Sequence, residues 1–341
     1  MLALWSIAVA GARAFDYAQG MTSILRLFRQ LLGLAALLGA LACAILASAA
    51  QGGRWSDKLD GLTHFAPLLL LGGMGALLLW LVAGRKGRMT PILAAITIIS
   101  TATLMAPEVI AAAQLERVEP RSETLKIVQF NAFRDNYDVP GSLAWIRAQD
   151  ADLVVLEEVL SGEGRLIARD LADPYPYQIG CPNWRCGTVI RSKKPPLDDP
   201  MAIPIEPHAG VVAWARFQGR KSPYSVIGVH YAWPAPISHQ WGQRRAMKET
   251  VKRFSKDSLI VVGDFNSTPW SFALRRQDRD FGLERRTRAL FSWPTKKGGV
   301  RLPAFLPIDH LYAGKDWRTV SVSRGPALGS DHYPIVIVLT R

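Results

Sequence analysis

Asp264 and Asn266 are residues whose types and spacing suit catalysis. They follow the apolar, β-branched run of residues 259–262, which predicts a buried strand, and they precede a Ser-Thr-Pro turn that suits the start of a helix. A carboxylate and a carboxamide in this arrangement at the end of a strand can hold a hard cation or orient a water molecule. Because Gly, Asp and Asn also dominate ordinary turns, this stretch alone fits a structural turn equally well.

Polar residues also flank four other predicted strands. They are Asn131 after residues 127–130, Glu157 and Glu158 after residues 153–156, His230 after residues 226–229, and Asp331 with His332 before residues 335–339. Each one singly fits a solvated strand end or a structural histidine, but their recurrence favours a shared site. Mg²⁺ is usually held by one or two carboxylates together with phosphate oxygens and water, and on composition either glutamate can be its ligand. Asp309 stands where it can orient an imidazole and favour its charged form.

Three long apolar segments precede these strands. Residues 31–50 and 65–84 each run for 20 residues without a charge, and residues 90–107 run for 18 before the apolar character continues past Glu108 to residue 113. Each is long enough as a helix to cross a hydrocarbon core of about 30 Å. None has the polar stripe that a helix at the surface of a soluble domain shows. We therefore predict three transmembrane helices at about residues 31–50, 65–84 and 90–113.

The basic residues beside these helices indicate their orientation. Arg26 and Arg29 precede the first helix, and Arg85, Lys86 and Arg88 crowd the link between the second and the third, whereas the loop after the first helix has as many acids as bases. Lys and Arg accumulate on the cytoplasmic side of a membrane. The residues after about position 115 are therefore predicted to lie on the outer, periplasmic face of the inner membrane.

The start of the chain allows two further hypotheses. The run that ends at residues 47–49 resembles a signal peptide with a small-residue cleavage site, but its apolar core is longer than usual, which favours a retained helix. Met21 lies just ahead of Arg26 and Arg29 and makes a more natural beginning than Met1, so translation from Met21 is also a hypothesis.

Cysteine use fits an extracytoplasmic domain. Cys43 lies in the first apolar segment, and Cys181 and Cys186 are close enough in sequence to form a disulfide in an oxidising compartment or to remain two thiols. A zinc site is less favoured because the chain has no second cysteine pair.

The remainder of the chain predicts one large α/β domain. Residues 1–113 are the predicted membrane anchor, residues 114–123 a charged linker, and residues 124–341 a domain in which strand-like and helical segments alternate. After residue 113 the chain holds 33 of its 41 Lys and Arg and 24 of its 28 Asp and Glu, a net charge of +9. Such a field attracts nucleic acid, anionic lipid head groups or phosphorylated metabolites alike.

The polar motifs, in their order along the chain, resemble the endonuclease/exonuclease/phosphatase superfamily. That superfamily includes deoxyribonuclease I, apurinic endonucleases, sphingomyelinases and inositol-polyphosphate phosphatases. The resemblance covers roughly residues 125–339 and rests on QFN at 129–131, DLVVLEEV at 152–159, VIGVH at 226–230, GDFN at 263–266, IDH at 308–310 and SDH at 330–332. It implies a deoxyribonuclease I-like fold, a four-layered α/β sandwich of two mixed β-sheets packed face to face with helices outside.

The resemblance also implies a role for each polar residue. By position, Glu158, Asn131 and Asp331 match residues on the metal side of the family's site. Asp264 and Asn266 match the pair that activates and orients the attacking water. His332 matches the phosphate-contacting histidine, with Asp309 as its orienting acid, and His230 matches a second catalytic histidine. The implied cofactor is Mg²⁺, with Mn²⁺ as an alternative. Phe133 stands where some members carry an acid, which leaves a second metal position open.

We therefore predict a membrane-anchored, Mg²⁺-dependent phosphoester hydrolase. A lipid phosphate or pyrophosphate is the favoured substrate, because a domain tethered outside the inner membrane meets lipid phosphates readily and cellular DNA rarely. The anchor and domain together also resemble the teicoplanin-resistance type of membrane phosphatase, for which polyprenyl pyrophosphate carriers are the implied substrates. A metal-dependent nuclease is the first alternative, and a catalytically inactive, membrane-tethered binding module is the second. The sequence indicates no protein partner.

Overall fold

The structure, a computed structural model, describes residues 2–180, 187–198, 211–234, 237–297 and 299–341. The chain forms two compact units that are interleaved in sequence. The helical unit consists of Met1–Gly52 and Phe65–Leu104, and the sheet unit consists of Gly53–His64 and Met105–Arg341. The predicted pairing of Cys181 with Cys186 lies outside the described residues.

Eight α-helices are formed by the described residues. They are α1 (Leu2–Gln51), α2 (Asp57–Asp60), α3 (Ala66–Val82), α4 (Met89–Ala113), α5 (Val139–Gln149), α6 (Gly162–Asp170), α7 (Ile237–Val251) and α8 (Phe272–Phe281). By length and composition, three helical segments in this part of the chain are able to cross a membrane, namely Ser23–Arg54, Asp57–Val82 and Met89–Ala113. They contain almost all of the three predicted apolar spans, so the prediction of three apolar helices long enough to cross a membrane is confirmed.

Small residues allow the helices of the helical unit to approach each other closely. A Cβ added to Gly72 of α3 would lie 2.7 Å from the Sγ of Cys43 in α1, and a Cβ added to Gly73 would lie 3.0 Å from Thr97 in α4. The side-chain amide of Gln51 also donates to the carbonyl of Ser100 at 2.7 Å. Close packing at small residues is a usual basis for helix association in membranes, where apolar side chains gain little from leaving lipid.

Two mixed β-sheets dominate the described part of the sheet unit. The strands are β1 (Thr124–Asn131), β2 (Leu153–Glu157), β3 (Tyr177–Gly180), β4 (Val189–Ser192), β5 (Val211–Phe217), β6 (Tyr224–His230), β7 (Leu259–Asp264), β8 (Glu284–Arg285), β9 (Lys296–Lys297), β10 (Val300–Arg301), β11 (Asp309–Ala313), β12 (Arg318–Arg324) and β13 (Ile335–Thr340). One sheet has the order β12-β13-β1-β2-β4-β3, the other has the order β5-β6-β7-β11-β8, and β9 pairs with β10. The predicted α/β fold with two mixed sheets is confirmed.

The main core lies between the two sheets. Alternate side chains of each central strand enter it, since successive residues of a strand point to opposite faces. The members include Ile127, Val155 and Ile190 from the first sheet and Val226, Val262 and Leu311 from the second. Nearly every residue of these strands is buried on both faces, which explains why their sequences read as continuous apolar runs.

Helices cover the outer face of each sheet. On the first sheet, Val128 and Val154 pack with Ile146 of α5 and Ile167 of α6. On the second sheet, Ile227 and Val261 pack with Met247 of α7 and Leu274 of α8. The order of layers is therefore helix, sheet, sheet, helix, as the predicted four-layered sandwich requires.

Strand directions bring the predicted polar residues to one edge of the sandwich. The parallel pairs β1–β2 and β6–β7 end together, placing Asn131 beside Glu157 and His230 beside Asp264. The antiparallel strand β11 begins at this edge, so Asp309 is directly opposite Asp264.

Gly263 permits the close approach of two strands at this edge. Its φ is +150°, and a Cβ there would lie 1.9 Å from the carbonyl oxygen of Val229 on β6. Any larger residue would push β6 and β7 apart, because backbone atoms cannot yield by that distance. The glycine of the GDFN motif therefore fixes the spacing of the strands that carry His230 and Asp264.

The loop after the first apolar helix belongs to the sheet unit. Both carboxylate oxygens of the buried Asp60 accept hydrogen bonds from the first turn of α8, from the backbone N–H of Phe272 at 2.8 Å and of Ala273 at 2.7 Å. Asp57 pairs with Arg276 on the same helix at 2.6 Å. An acid is favoured at a helix N-terminus because it satisfies orphan N–H groups and complements the helix dipole.

A buried ion pair explains the one acid in the third apolar segment. Glu108 and Arg285 form two parallel hydrogen bonds, each 2.8 Å long, and the backbone N–H of Ala289 donates to the same carboxylate at 2.9 Å. Both residues belong to the sheet unit and both side chains are nearly inaccessible to water. A bidentate guanidinium is the partner that best offsets the desolvation of a carboxylate.

Candidate active site

Six of the eight predicted site residues line a single pocket of about 480 Å³. They are Glu158, His230, Asp264, Asn266, Asp331 and His332. The other two, Asn131 and Asp309, lie directly behind the pocket wall, where they hydrogen-bond to Asp264 and His332, respectively. Residues that are spread over 200 positions in sequence therefore converge on one site, as the motifs predicted.

Asp264 is the centre of this arrangement. Its Oδ1 accepts from the backbone N–H of Asn266 at 2.8 Å, and its Oδ2 accepts from the amides of Asn131 at 3.0 Å and Asn266 at 3.2 Å. The Nε2 atoms of His332 and His230 lie 3.6 and 3.7 Å from Oδ2. Complete burial raises the pKa of Asp264 to about 7, although His332 and the hydrogen bonds work in the opposite direction.

His332 is held as a cation by two carboxylates. Its Nδ1 is 2.9 Å from Oδ2 of Asp309, and both side chains are buried. Burial opposes the charge, but Asp309 and Asp264 outweigh it and raise the pKa of His332 to about 10. The pKa of Asp309 is correspondingly lowered, because its pairing with His332 outweighs its burial. At neutral pH the pair therefore presents a protonated imidazole to the pocket.

His230 has the opposite protonation preference. Burial lowers its pKa, even though the nearby Glu158 favours the charged form. Its Nε2 lies 3.9 Å from Glu158 and 3.7 Å from Asp264. The pocket thus combines a neutral and a charged histidine on two sides of one carboxylate.

The structure distinguishes the two adjacent glutamates. The side chain of Glu158 is 31% exposed and faces the pocket, where the amide of Asn131 donates to it at 3.2 Å. Glu157 is completely buried and points to the other side, where Gln129 donates to it at 2.9 Å. Burial, with the negative charges of Asp309 and Asp264, raises the pKa of Glu157 well above its usual range. Glu158 is therefore the glutamate that can hold a cation.

Backbone conformation also marks Glu158. Its φ is +58°, a left-handed conformation that is uncommon for a side chain without a local hydrogen-bonding reason. Asn266 has a φ of +46° and Phe133 a φ of +60° at the same edge of the sheets. Strained conformations of this kind cost on the order of 1–3 kcal/mol and concentrate at functional sites.

The donor set fits a hard divalent cation. Glu158 offers a partly solvated carboxylate, and Oδ1 of Asp331 is buried without a hydrogen-bond partner in the described chain. The other oxygen of Asp331 accepts from Trp293 at 3.0 Å, which holds the carboxylate at the pocket wall. Oxygen donors with room for water and phosphate are what Mg²⁺ requires. Metal ligation by Glu158 and Asp331 remains a prediction that this geometry supports.

The side chain of Asn131 is hydrogen-bonded to other protein groups, which is not the arrangement expected of a metal ligand. Its amide nitrogen bridges Glu158 and Asp264, and its Oδ1 accepts from the backbone N–H of Phe133 at 3.1 Å. It holds the two carboxylates together, so its predicted metal ligation stays a prediction. The trio Asp264, Asp309 and His332 is also compact enough for a metal, but a protonated His332 has no lone pair to offer.

Several pocket residues were not predicted from the sequence. Trp233 and Trp293 lie with ring centroids 5.6 Å apart at the pocket wall, beside Tyr231 and Gln243. Behind them, Gln129 donates to both Glu157 and Asp309, which ties the two sheets together at the site. A tryptophan in a loop gives no signal of its own, because most aromatic residues serve the core.

The sequence profile of the Endonuclease/Exonuclease/phosphatase family matches residues 128–332, which is more than half of the chain. The chain belongs to this family. Its members are metal-dependent phosphoester hydrolases, and the pocket has the carboxylates and histidines that such a reaction needs. The predicted enzyme class, a metal-dependent phosphoric ester hydrolase, is therefore confirmed.

Several solved structures are similar to the chain in fold. An endonuclease/exonuclease/phosphatase from Beutenbergia cavernae DSM 12333 is 19% identical, with a TM-score of 0.51 over 64% of this chain and 72% of that chain. Sphingomyelinase C from Streptomyces griseocarneus is 17% identical, with a TM-score of 0.45 over 64% of this chain and 100% of that chain. A beta toxin from Staphylococcus aureus is 15% identical, with a TM-score of 0.46 over 64% and 99%. No curated protein matches the chain.

Proposed function

We propose that this family member is a membrane-anchored, Mg²⁺-dependent hydrolase of a lipid phosphate or pyrophosphate, acting at the outer face of the inner membrane. The observation that carries the proposal is the convergence of Glu158, Asp264 and His332 on one pocket of a chain that also has three apolar helices. A hydrolytic site and a membrane anchor on the same chain favour a substrate that lies in the membrane surface.

Asp264 is the proposed general base. With a pKa raised to about 7, its carboxylate can accept a proton from an attacking water near neutral pH. Asn266 fixes the orientation of that carboxylate with two hydrogen bonds, from its backbone N–H and from its side-chain amide. The amide of Asn266 is in turn held by donation to the carbonyl of Tyr231 at 2.9 Å. Positioning of this kind lowers the barrier because the base needs no reorganisation.

The two histidines are the proposed phosphate ligands. His332, charged and fixed by Asp309, can donate from Nε2 to a non-bridging phosphate oxygen as negative charge develops there. His230, neutral because of burial, can donate a hydrogen bond to the phosphate or to the leaving group. A divalent ion held by Glu158 and Asp331 would supply further positive charge to neutralise the phosphate oxygens.

The placement of the sheet unit in the chain supports a membrane substrate. It begins at Gly53, at the end of the first apolar segment, and resumes at Met105, within the third. The unit is thus joined to apolar helices at three points along the chain, at Gly53, His64 and Met105. Such tethers restrict the sheet unit to the vicinity of the membrane, where the effective concentration of lipid substrates is high.

The same arrangement supports the proposed orientation. Residues 53–64 and 105–341 pack as one unit and must therefore lie on the same side of the membrane. An even number of crossings between them is required, as two apolar helices provide. The basic link formed by Arg85, Lys86 and Arg88 then faces the cytoplasm, and the pocket faces outward.

A nuclease is the second candidate, and two observations favour it. The chain has a net charge of +13, and a basic surface attracts nucleic acid without regard to sequence. The exposed Trp233 lies beside Trp293 at the pocket wall, and paired aromatic rings can stack on nucleobases.

Hydrolysis by the full chain in detergent micelles distinguishes these candidates. A long-chain prenyl pyrophosphate, phosphatidic acid, single-stranded DNA and a bis-aryl phosphodiester would each be supplied with Mg²⁺ and then with excess chelator. We expect phosphate release from the lipid substrates, loss of that release with chelator, and a fall of at least about 10²-fold in the Asp264→Ala variant, because a general base contributes that much.

The other outcomes are equally definite. Cleavage of DNA with no release of phosphate from either lipid would replace the lipid phosphatase by a nuclease. Failure to hydrolyse every substrate, including the bis-aryl phosphodiester, would indicate an inactive binding module. Asp264→Ala must melt at the wild-type temperature for the comparison to hold.

A further inference from the structure

A second pocket, which we name the basic pocket, lies on the sheet unit and is distinct from the active-site pocket. It has a volume of about 500 Å³ and is formed by the loop after the first apolar helix together with α7 and α8. Its cationic and aromatic lining residues are Arg54, Trp55, Trp241, Arg244, Arg245 and Lys248. None of its lining residues lines the active-site pocket.

The basic pocket has an excess of positive charge. Besides the cations named above it contains Arg276, and its acids are Asp57 and Asp280. Asp57 is engaged by Arg276 at 2.6 Å, and Asp280 by Lys248 at 2.8 Å. The lining of the pocket therefore has five cations and two carboxylates, and this formal excess of positive charge attracts anions.

Two guanidinium groups of the basic pocket lie over aromatic rings. The Arg54 guanidinium lies over Trp55 at 4.9 Å from the ring centroid, and that of Arg245 lies over Trp241 at 5.7 Å. A guanidinium stacked on a ring keeps its edge N–H groups directed outward, in the fork that matches two phosphate oxygens. The pocket is therefore better suited to an anionic phosphate group than to a neutral ligand.

The rim of the basic pocket has the character of a membrane interface. Trp55 is 80% exposed and Trp241 is 52% exposed, which is unusual for residues of this size. Arg54 is the last residue of the first apolar segment, Ser23–Arg54, so the pocket includes the residue at which this segment ends. Tryptophan is enriched at the level of lipid head groups, and the long side chains of arginines near helix ends reach the same level.

We propose that the basic pocket binds the phosphate group of a membrane phospholipid, as a docking site separate from the catalytic pocket. Arg54 and Arg245 bind the phosphate oxygens, and Trp55 and Trp241 lie among the adjacent glycerol and acyl groups. The proposal does not depend on which phosphoester the enzyme hydrolyses, because the basic pocket and the active-site pocket have no lining residue in common.

The choice of test variants follows from the contacts of each arginine. Arg244 donates to Gln240 at 3.2 Å, and Gln240 donates to the carbonyl of Asn266 at 3.1 Å, so a change at Arg244 would also disturb the catalytic segment. Arg54 and Arg245 are both exposed, and their guanidinium groups lie over Trp55 and Trp241. The double variant Arg54→Gln/Arg245→Gln therefore removes two positive charges from the basic pocket.

Lipid retention by the full chain in uncharged detergent tests the proposal. Phosphatidylglycerol would be titrated in the presence of chelator, and bound lipid counted by native mass spectrometry. Diacylglycerol and inorganic phosphate would serve as comparison ligands. The matched control is Lys252→Gln/Lys315→Gln, which removes two exposed positive charges elsewhere on the sheet unit.

We expect wild type, the lysine control and Asp264→Ala to retain phosphatidylglycerol equally. The arginine double variant should bind it at least about tenfold more weakly, since hydrogen bonds to charged groups are the stronger class. Equal retention by the double variant and wild type would overturn the proposal. Loss of phosphatidylglycerol binding in Asp264→Ala would also overturn it, because the lipid would then be bound at the active site. Displacement of phosphatidylglycerol by inorganic phosphate would overturn it as well, because the ligand would then be a free anion. If the double variant does not fold, Arg245→Gln alone gives the same comparison.

Discussion

The pKa of Asp264 is set by opposing effects, of which burial is the largest. Burial and Asp309 raise it, while the cationic His332 and three hydrogen-bond donors lower it. The result, about 7, leaves the carboxyl able to accept and release a proton at neutral pH. A base that was fully stabilised as a carboxylate would be too weak to take a proton from water.

Metal binding should depend on Glu158 and not on Glu157. Replacing Glu158 by Gln removes the partly exposed carboxylate of the pocket and should weaken Mg²⁺ binding by at least about tenfold, because hard cations depend on anionic oxygen. Glu157→Gln is the matched control. The pKa of Glu157 is raised well above its usual range, so the neutral amide is close to its native form.

Isothermal titration of each purified variant with Mg²⁺, followed by hydrolysis assays, checks this prediction. We expect Glu157→Gln to bind the ion nearly as well as wild type. A larger loss of Mg²⁺ affinity in Glu157→Gln than in Glu158→Gln would show that the assignment of the two residues is wrong.

Because of His310, the free energy of unfolding of the sheet unit should decrease at acidic pH. Burial, and to a lesser degree Arg285, lowers the pKa of His310 from 6.5 to about 4, so the folded protein holds it neutral. The unfolded chain binds the proton at higher pH than the folded one. The contribution of His310 to the free energy of unfolding is therefore fully present above pH 6.5. It is lost as the pH is lowered toward 4, by an amount on the order of 3 kcal/mol.

The comparison variant is His310→Gln, which cannot titrate but can still donate to the carbonyl of Ser267, as the imidazole does at 2.9 Å. Melting temperatures in detergent between pH 7 and 4.5 should fall more steeply for wild type than for this variant. His239→Gln, at an exposed position on α7, should follow wild type. Parallel curves for wild type and His310→Gln would contradict the prediction.

Single residues show where sequence reasoning succeeds and where it stops. Asn131, Glu158, His230 and Asp264 were found because each follows an apolar strand, and strand ends that share an edge must meet. Composition left the choice between Glu157 and Glu158 open, and only the family resemblance pointed to Glu158, because the choice depends on a backbone φ of +58° that turns one side chain into the pocket. Trp293 was missed because its role depends on a hydrogen bond to Asp331, 38 residues away.

Among elements, the loop of residues 53–64 has an importance that its sequence does not reveal. It was expected only to join two membrane helices, yet Asp60 caps α8 and Nδ1 of His64 lies 2.9 Å from the hydroxyl of Thr268. Thr268 is two residues beyond Asn266, so this loop supports the segment that carries the amide proposed to orient the catalytic base. Long-range contacts of this kind have no periodicity, and pattern analysis therefore cannot find them.

Loss of the Asp60 cap should destabilise the sheet unit. Asp60→Ala leaves the N–H groups of Phe272 and Ala273 without their acceptor, at an expected loss of about 1–2 kcal/mol. For a unit of this size each kcal/mol corresponds to roughly 2–4 °C in melting temperature. Differential scanning fluorimetry of the full chain in detergent measures the change.

Lys58→Ala is the matched control, because Lys58 is exposed in the same loop. It should melt within about 1 °C of wild type, as surface substitutions usually do. Asp60→Asn retains one acceptor oxygen and should recover part of the loss. A melting temperature for Asp60→Ala equal to that of the control would show that the loop does not support α8.

At the scale of the whole molecule, the fold was the most predictable feature. Buried strands with apolar runs and α-helices between them specify an α/β sandwich with little ambiguity, and 20-residue uncharged segments specify long apolar helices. The interleaving of the two units was not predictable, because it rests on contacts of single residues such as Asp60 with Ala273 and Glu108 with Arg285.

Chemical labelling should place the two segments of the sheet unit on the same side of the membrane. In a chain whose three cysteines are replaced by serine, Trp55→Cys and Lys315→Cys should both react with a membrane-impermeant maleimide in spheroplasts. Lys86→Cys, in the basic link, should react only after the membrane is permeabilised. Reaction of Lys86→Cys in intact spheroplasts, with protection of the other two, would reverse the proposed orientation.

The distance in sequence between Asp60 and its partner has a consequence for biosynthesis. The acid leaves the ribosome 213 residues before the backbone of Ala273. At a translation rate of about 5–20 residues per second, the loop waits roughly 10–40 s after its own synthesis. During this interval a carboxylate that is buried in the mature enzyme is exposed to water, and we expect it to become buried only when α8 packs onto the loop that was synthesised first.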